Sequence, residues 1–296
     1  MKLNRENFGE LLTPIHKKII YNAYTEKEPQ YTKLFKVDTM SKKDESYPHM
    51  GAFGMWASNT EGNTINESEM SQGDVAYFEA QRYDNGYSIT WELVHDDLYN
   101  VMKGMGKGGS ATALGKGLRT RIETNCADVI NNGFSNTGYD GTSLFANDHP
   151  LADSTATGDN LITGALSDDT VKSALSKLRN AVDEAGLKIG CTGDTLFAAA
   201  NKEWDAYTVI KSSLQSGNLI NDKNVLPSLR IVIMDYLTDN YWGVLDSSYE
   251  NLAFKWRDKP IFDAQRIPKT VDWFMYGYAR FDEGYVDWRG IVGSTG

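Results

Sequence analysis

Apolar positions change period several times along this chain, and each change marks an element. Residues 5–24 place Phe8, Leu11, Leu12, Ile15, Ile19 and Ile20 at helical spacing, which predicts an amphipathic helix despite Pro14. Tyr31 to Pro48 holds few apolar residues around Lys36, Lys42, Lys43, Asp44 and Glu45, and reads as an extended arm with too little to bury by itself. Between 52 and 93 the period becomes two: Tyr87, Ile89, Trp91 and Leu93 alternate with Ser88, Thr90 and Glu92, and Val75, Tyr77, Glu79, Gln81 and Tyr83 form an upstream run. Asp84-Asn85-Gly86 lies between the two runs and predicts the tight turn of a long β-hairpin. Ser58 to Gly73, rich in Ser, Asn, Glu and Gly, is expected to be its mobile tip.

Leu118, Ile122, Cys126, Val129, Ile130 and Phe134 then define one stripe of a helix over about 110–134, the expected spine of the fold. A weaker helical segment, Asp96 to Met105, leads into it. Ser167, followed by Asp168 and Asp169, is an N-cap with acids in the first turn, where the helix dipole favours them. Val171, Ala174, Leu175, Leu178 and Val182 face inward from there, and Gly186 is expected to stop that helix. A strand (Thr195 to Ala199), a helix (Lys202 to Ser212), a polar loop and two apolar runs (Leu229 to Met234, Tyr241 to Leu245) complete an α/β unit between about 165 and 248. The tail, 250–296, is strand-like and aromatic.

Composition adds limits. The 296 residues are 41% hydrophobic and 24% charged, enough for a sizeable core, and no run of about 18 apolar residues is present to suggest a membrane span. Cys126 and Cys191 stand far apart with no metal-type or redox spacing, so buried free thiols are expected rather than a disulfide or zinc site. The formal net charge of −10 disfavours general adhesion to phosphate backbones, and most of it is local: residues 51–100 hold one basic residue against nine acidic ones. Lys255, Arg257, Lys259, Arg266 and Lys269, against Asp258 and Asp263, make the tail segment the best basic counterpart.

Three constellations invite a chemical reading. Gly104-Met105-Gly106-Lys107-Gly108-Gly109 satisfies G-x-G-x-x-G, but no strand precedes it, so a joint between helices is the better reading. His95-Asp96-Asp97 would place three ligand types on different helix faces, and a helix start explains them more simply. Ser143, Asp148 and His149 resemble a nucleophile system, but no G-x-S-x-G surrounds Ser143, and near neighbours rarely assemble a triad in one loop. No catalytic, cofactor or metal site is expected, with a serine hydrolase using Ser143 and His149 kept as the alternative of a different class.

The order of local strings resembles one family. Phe35, Phe53-Gly54-Met55-Trp56, Tyr87-Ser88-Ile89-Thr90, Asp96-Asp97-Leu98-Tyr99, Ile130-Asn131-Asn132-Gly133-Phe134, Asp140-Gly141, Leu144-Phe145, His149-Pro150, Leu214 to Asn221, Tyr236-Leu237-Thr238-Asp239 and Asp287-Trp288-Arg289-Gly290-Ile291 follow one another as in the Mu-like prophage major head subunits. These are tailed-phage major capsid proteins with the α+β fold named after phage Hong Kong 97. The resemblance implies an N-terminal arm at 1–49, an extended hairpin called the E-loop at 50–92, a peripheral domain with the spine helix at 93–165, an axial domain at 166–248, and closing strands of the peripheral domain at 249–296. It also implies copies of the chain as partners, in hexamers and pentamers of an icosahedral shell enclosing double-stranded DNA, with a separate scaffold and portal, no membrane, and assembly in the bacterial cytoplasm. An encapsulin-like cargo shell is the alternative within the fold. Glu61, Glu67, Glu69 and Asp74 on the acidic excursion, and Lys255, Arg257 and Lys259 on the tail, are the candidate inter-subunit contacts.

Overall fold

The computed structural model describes residues 8–50, 55–67, 72–90, 92, 96, 109–151, 154–212, 223–226, 228–270 and 272–296. The expected helix at 96–105, the glycine string at 104–108, Glu69 and the Leu214 to Asn221 string fall outside them, Asp96 apart.

Two sheets organise the chain. The first has four strands in the order β1 (Lys36–Thr39), β11 (Leu252–Arg266), β12 (Trp273–Tyr285), β4 (Gln81–Ile89). β1 runs parallel to β11, and the other pairs are antiparallel. The second has five, in the order β7 (Leu161–Ile162), β13 (Ile291–Ser294), β10 (Trp242–Leu245), β8 (Thr195–Ala199), β9 (Arg230–Met234). Strands β2 (Asp44–Met50) and β3 (Gln72–Glu79) pair with each other alone, as do β5 (His149–Leu151) and β6 (Ser154–Gly158). The last strand, β13, therefore pairs with the five-stranded sheet; grouping all of 249–296 with the first sheet misplaces its end, because β13 extends the sheet through β10.

Helix α1 (Phe8–Tyr24) packs on α2 (Ser110–Asn131), the expected spine. Gly115 makes that contact possible, since a methyl group there would overlap the Ile20 carbonyl oxygen. The stripe behaves as its spacing requires: Ile122, Cys126 and Ile130 are buried in the largest core cluster, with Leu118, Val129 and Phe134 packed against it. That cluster takes Phe254 and Phe281 from the first sheet and Phe197, Val232 and Leu245 from the second, so α2 lies where the two sheets share one core.

Helix α3 (Asp168–Asn180) starts at Ser167, whose hydroxyl accepts from the Thr170 N–H in a capping box. It ends at Asn180 rather than running to Gly186. Val182 instead bridges Lys188, and Gly186, at φ +79°, serves the turn between them. Helix α4 (Glu203–Lys211) follows β8, as expected.

The hairpin exists, but not with the expected turn. β2 pairs with β3, and the link between them is residues 51–71. Asp84, Asn85 and Gly86 sit inside β4, opposite Tyr278, Gly277 and Tyr276. Gly86 is needed for a close approach, not for a turn: a Cβ there would lie 2.7 Å from Phe274 Cζ and 2.8 Å from the Met275 carbonyl oxygen. At Ala80, whose N–H bonds the Lys43 carbonyl, the chain leaves the hairpin and enters the large sheet. The proposed arm is likewise anchored, for β1 pairs with β11 and Tyr31, Leu34, Phe35 and Met40 are buried.

Candidate functional site

The Tyr139 to Pro150 run holds the residues that suggested a triad, and the structure separates them. Gly141, at φ +83°, closes a turn in which Asp140 accepts from the Thr142 N–H (3.2 Å) and hydroxyl (2.9 Å). The carboxylate beside His149 is Asp140, with Oδ2 2.6 Å from Nδ1, whereas Asp148 is exposed. Burial acts to raise the Asp140 carboxyl, but hydrogen bonds from His149 and Thr142 outweigh it and hold the group below the usual range. Ser143 donates its hydroxyl to the Phe145 carbonyl at 3.0 Å and has no bond to His149. A nucleophile must reach both its base and its substrate, and His149 is fully buried, stacked on Trp288 at 4.0 Å and 4°. The serine hydrolase reading fails on this geometry.

What the run does is structural, and Asn160 completes it. The Asn160 amide donates to the carbonyls of Leu144 (2.7 Å) and Trp288 (3.2 Å), and its oxygen accepts from the Ala146 N–H (2.9 Å) and faces His149 Nε2 at 3.2 Å. The Asn160 carbonyl accepts from the Gly293 N–H at 3.1 Å. One buried side chain thus ties the connector after α2 to the C-terminal strand. Nothing in the local sequence marks Asn160 for this role; its partners lie up to 128 residues away.

The interface candidates present a different picture. Glu61, Glu67 and Asp74 are exposed, and among the described residues no ion pair holds them within the subunit. Lys259 is exposed and Arg257 half-buried, also without such a pair. Lys255 differs. It is 5% exposed, with its ammonium 3.3 Å from Asp38 Oδ2 and 4.7 Å from the centre of the Tyr47 ring. Burial acts to lower its affinity for the proton, but Tyr47 and Asp38 outweigh burial and raise it. It fastens the foot of the hairpin to the body of its own subunit.

The sequence reading missed the apolar part of the same excursion. Met55, Trp56 and Ile65 are 82%, 93% and 87% exposed. A Met-Trp pair within an otherwise polar segment was the available signal. Such large side chains left in water on a two-stranded excursion mark a surface that is covered in the working state.

Comparison with known proteins agrees with this architecture. The fold is that of tailed-phage capsids of the Hong Kong 97 type: the capsid protein of cyanophage P-SCSP1u superposes with TM-score 0.58 at 10% identity, covering 88% of this chain and 86% of that one. The procapsid protein of bacteriophage JBD30 gives 0.53 at 14% identity over 99% and 76%. A virus-like particle protein from Pyrococcus furiosus gives 0.57 at 9% identity over 95% and 98%. No curated protein sequence matches. Residues 75–294 match the family described as "Phage capsid protein", and the chain belongs to that family. It is a shell-building protein, not an enzyme.

Proposed function

We propose that this chain is the major head subunit of a Mu-like phage or prophage, which assembles in the host cytoplasm through hexamers and pentamers, with a separate scaffold and portal, around double-stranded DNA held without sequence specificity. The reading rests on the family match over residues 75–294, taken with the ordered Mu-like strings. In this scheme 1–49 is the arm, 50–92 the E-loop, 93–165 and most of 249–296 the peripheral domain, and 166–248 the axial domain, which takes β13 as well.

The E-loop acts in trans. Burying Met55, Trp56 and Ile65 against a neighbour contributes about 1.5–3 kcal/mol each. Each exposed ion pair between Glu61, Glu67, Glu69 or Asp74 and a neighbour's Arg257 or Lys259 adds only about 0–1 kcal/mol. Apolar burial therefore supplies most of the attraction, and the charges set partner choice and salt dependence. Lys255, held by Asp38 and Tyr47 in its own subunit, supports the hairpin rather than the contact. Electron microscopy of the expressed protein across a salt series tests this: shells that weaken with salt and with Arg257→Glu support it, and indifference to both removes the charge pairing. Purified particles that carry an enzyme instead of DNA favour the cargo-shell alternative.

A further inference from the structure

The ladder between β4 and β12 stops at Gln81 opposite Phe281, and β12 continues through Asp282, Glu283, Gly284 and Tyr285 without β4 beside it. Between that overhanging end and α2 lies a cavity of about 350 Å³. Its helix wall carries Arg121, Asn125, Asp128 and Asn132, spaced to share one face, and its strand wall carries Glu283 and Tyr285. Two atoms on the strand wall, Glu283 Oε2 and the Tyr285 hydroxyl, are buried with no hydrogen-bond partner. Buried polar atoms are seldom left that way in a working state.

The charges on the walls have a sign. Glu283 and Asp128 stand against one cation, Arg121, whose guanidinium is 5.1 Å from the centre of the Tyr83 ring. Asn125 donates to the Tyr83 hydroxyl at 2.9 Å. Burial, with Asp282 beside it, pushes the Glu283 carboxyl up to about 7, against the lowering effect of Asn125 and Arg121. Glu283 also faces Cys126 from α2. The space exceeds that of one water, about 30 Å³ in the liquid.

We infer that this cavity is a socket for a basic side chain, ammonium or guanidinium, of a second copy of the chain. The inference rests on the capsid reading and names a contact separate from the E-loop. A cation there gives the orphaned Glu283 oxygen a partner and balances the excess negative charge. The chain exposes such groups, Lys259 and Lys269 among them, with no ion pair in their own subunit among the described residues.

The test compares wild-type and Glu283→Gln subunits, with Asp128→Asn as the second variant should the first not fold. At pH 8, where Glu283 is ionised, the variant is expected to need about tenfold or more subunit for shell assembly, because the incoming cation is left without its partner. At pH 6, where the wild-type carboxyl is largely protonated, the difference is expected to shrink. Shells that form at the same concentration in both proteins at pH 8 overturn the socket and leave the capsid reading standing. On unassembled subunits, n-butylammonium chloride is titrated against sodium chloride at equal ionic strength while the labelled Glu283 carboxyl is followed by carbon NMR. A lowered titration midpoint with butylammonium supports the socket, and an unmoved midpoint overturns it, with water alone as the occupant.

Discussion

Replacing Asn160 by alanine tests whether the connector after α2 is held as described. The substitution removes the acceptor of the Ala146 N–H (2.9 Å) and the donor to the Leu144 (2.7 Å) and Trp288 (3.2 Å) carbonyls, at a position 2% exposed. Each backbone group left unpaired in the interior costs about 1–3 kcal/mol. A water admitted to the space left by the amide can satisfy some of them, so the net loss is expected near 3–5 kcal/mol rather than the full sum. That is a large part of a domain's total stability of about 5–15 kcal/mol. The assay is urea unfolding of unassembled subunits followed by tryptophan fluorescence, with the slope checked to be unchanged. Asn160→Asp keeps one acceptor but puts a carboxylate against two carbonyl oxygens, so it is expected to be at least as damaging at pH 7. A loss below about 1 kcal/mol for Asn160→Ala would refute the reasoning, because it would mean that water or a backbone shift replaces the amide at no cost.

Other outcomes follow from the same geometry. Gly115→Ala forces α1 away from α2 at the Ile20 carbonyl and is expected to cost roughly 2–4 kcal/mol, measured by thermal unfolding. Gly86→Ala, which would press on Phe274 and the Met275 carbonyl, is expected to destabilise the subunit, whereas a turn glycine at a hairpin tip would barely affect the body; unfolding midpoints separate the two. Asp282 and Glu283 have carboxyls raised to about 6 and about 7, chiefly by burial. The folded chain therefore holds their protons more tightly than the unfolded one, so the stability they contribute is full below about pH 4 and is lost as pH rises through 6 to 7. Glu283→Gln is expected to flatten that slope in unassembled subunits, and an unchanged profile would remove Glu283 as its source. Ser143→Ala is expected to leave shell formation intact, with no hydrolytic activity to lose in an esterase screen.

Much of the architecture was legible because it is locally encoded. The stripe from Leu118 to Phe134, the Ser167 cap and the apolar run Thr195 to Ala199 each declare an element through near neighbours, and each stands where expected. The failures share a cause in long-range packing. Asn85-Gly86 has the composition of a hairpin turn, but Phe274, nearly two hundred residues later, is what requires the glycine. The partner of His149 is Asp140 across a turn rather than its neighbour Asp148. Asn160 carries no motif at all, and Lys255 looked like a free cation until Asp38 and Tyr47 were brought to it by β1 and β2. The interface candidates, in turn, are exposed groups whose partners lie on another subunit, so a single chain shows their availability and not their pairing.

Cryo-electron microscopy of the particles formed by the expressed chain, with a co-expressed scaffold where one is required, tests the central claim most directly. The account expects closed shells with fivefold vertices and sixfold faces, the 51–71 end of each hairpin lying on an adjacent subunit with Trp56 covered. Monodisperse single subunits under all these conditions, or shells in which Trp56 stays in solvent, would contradict it.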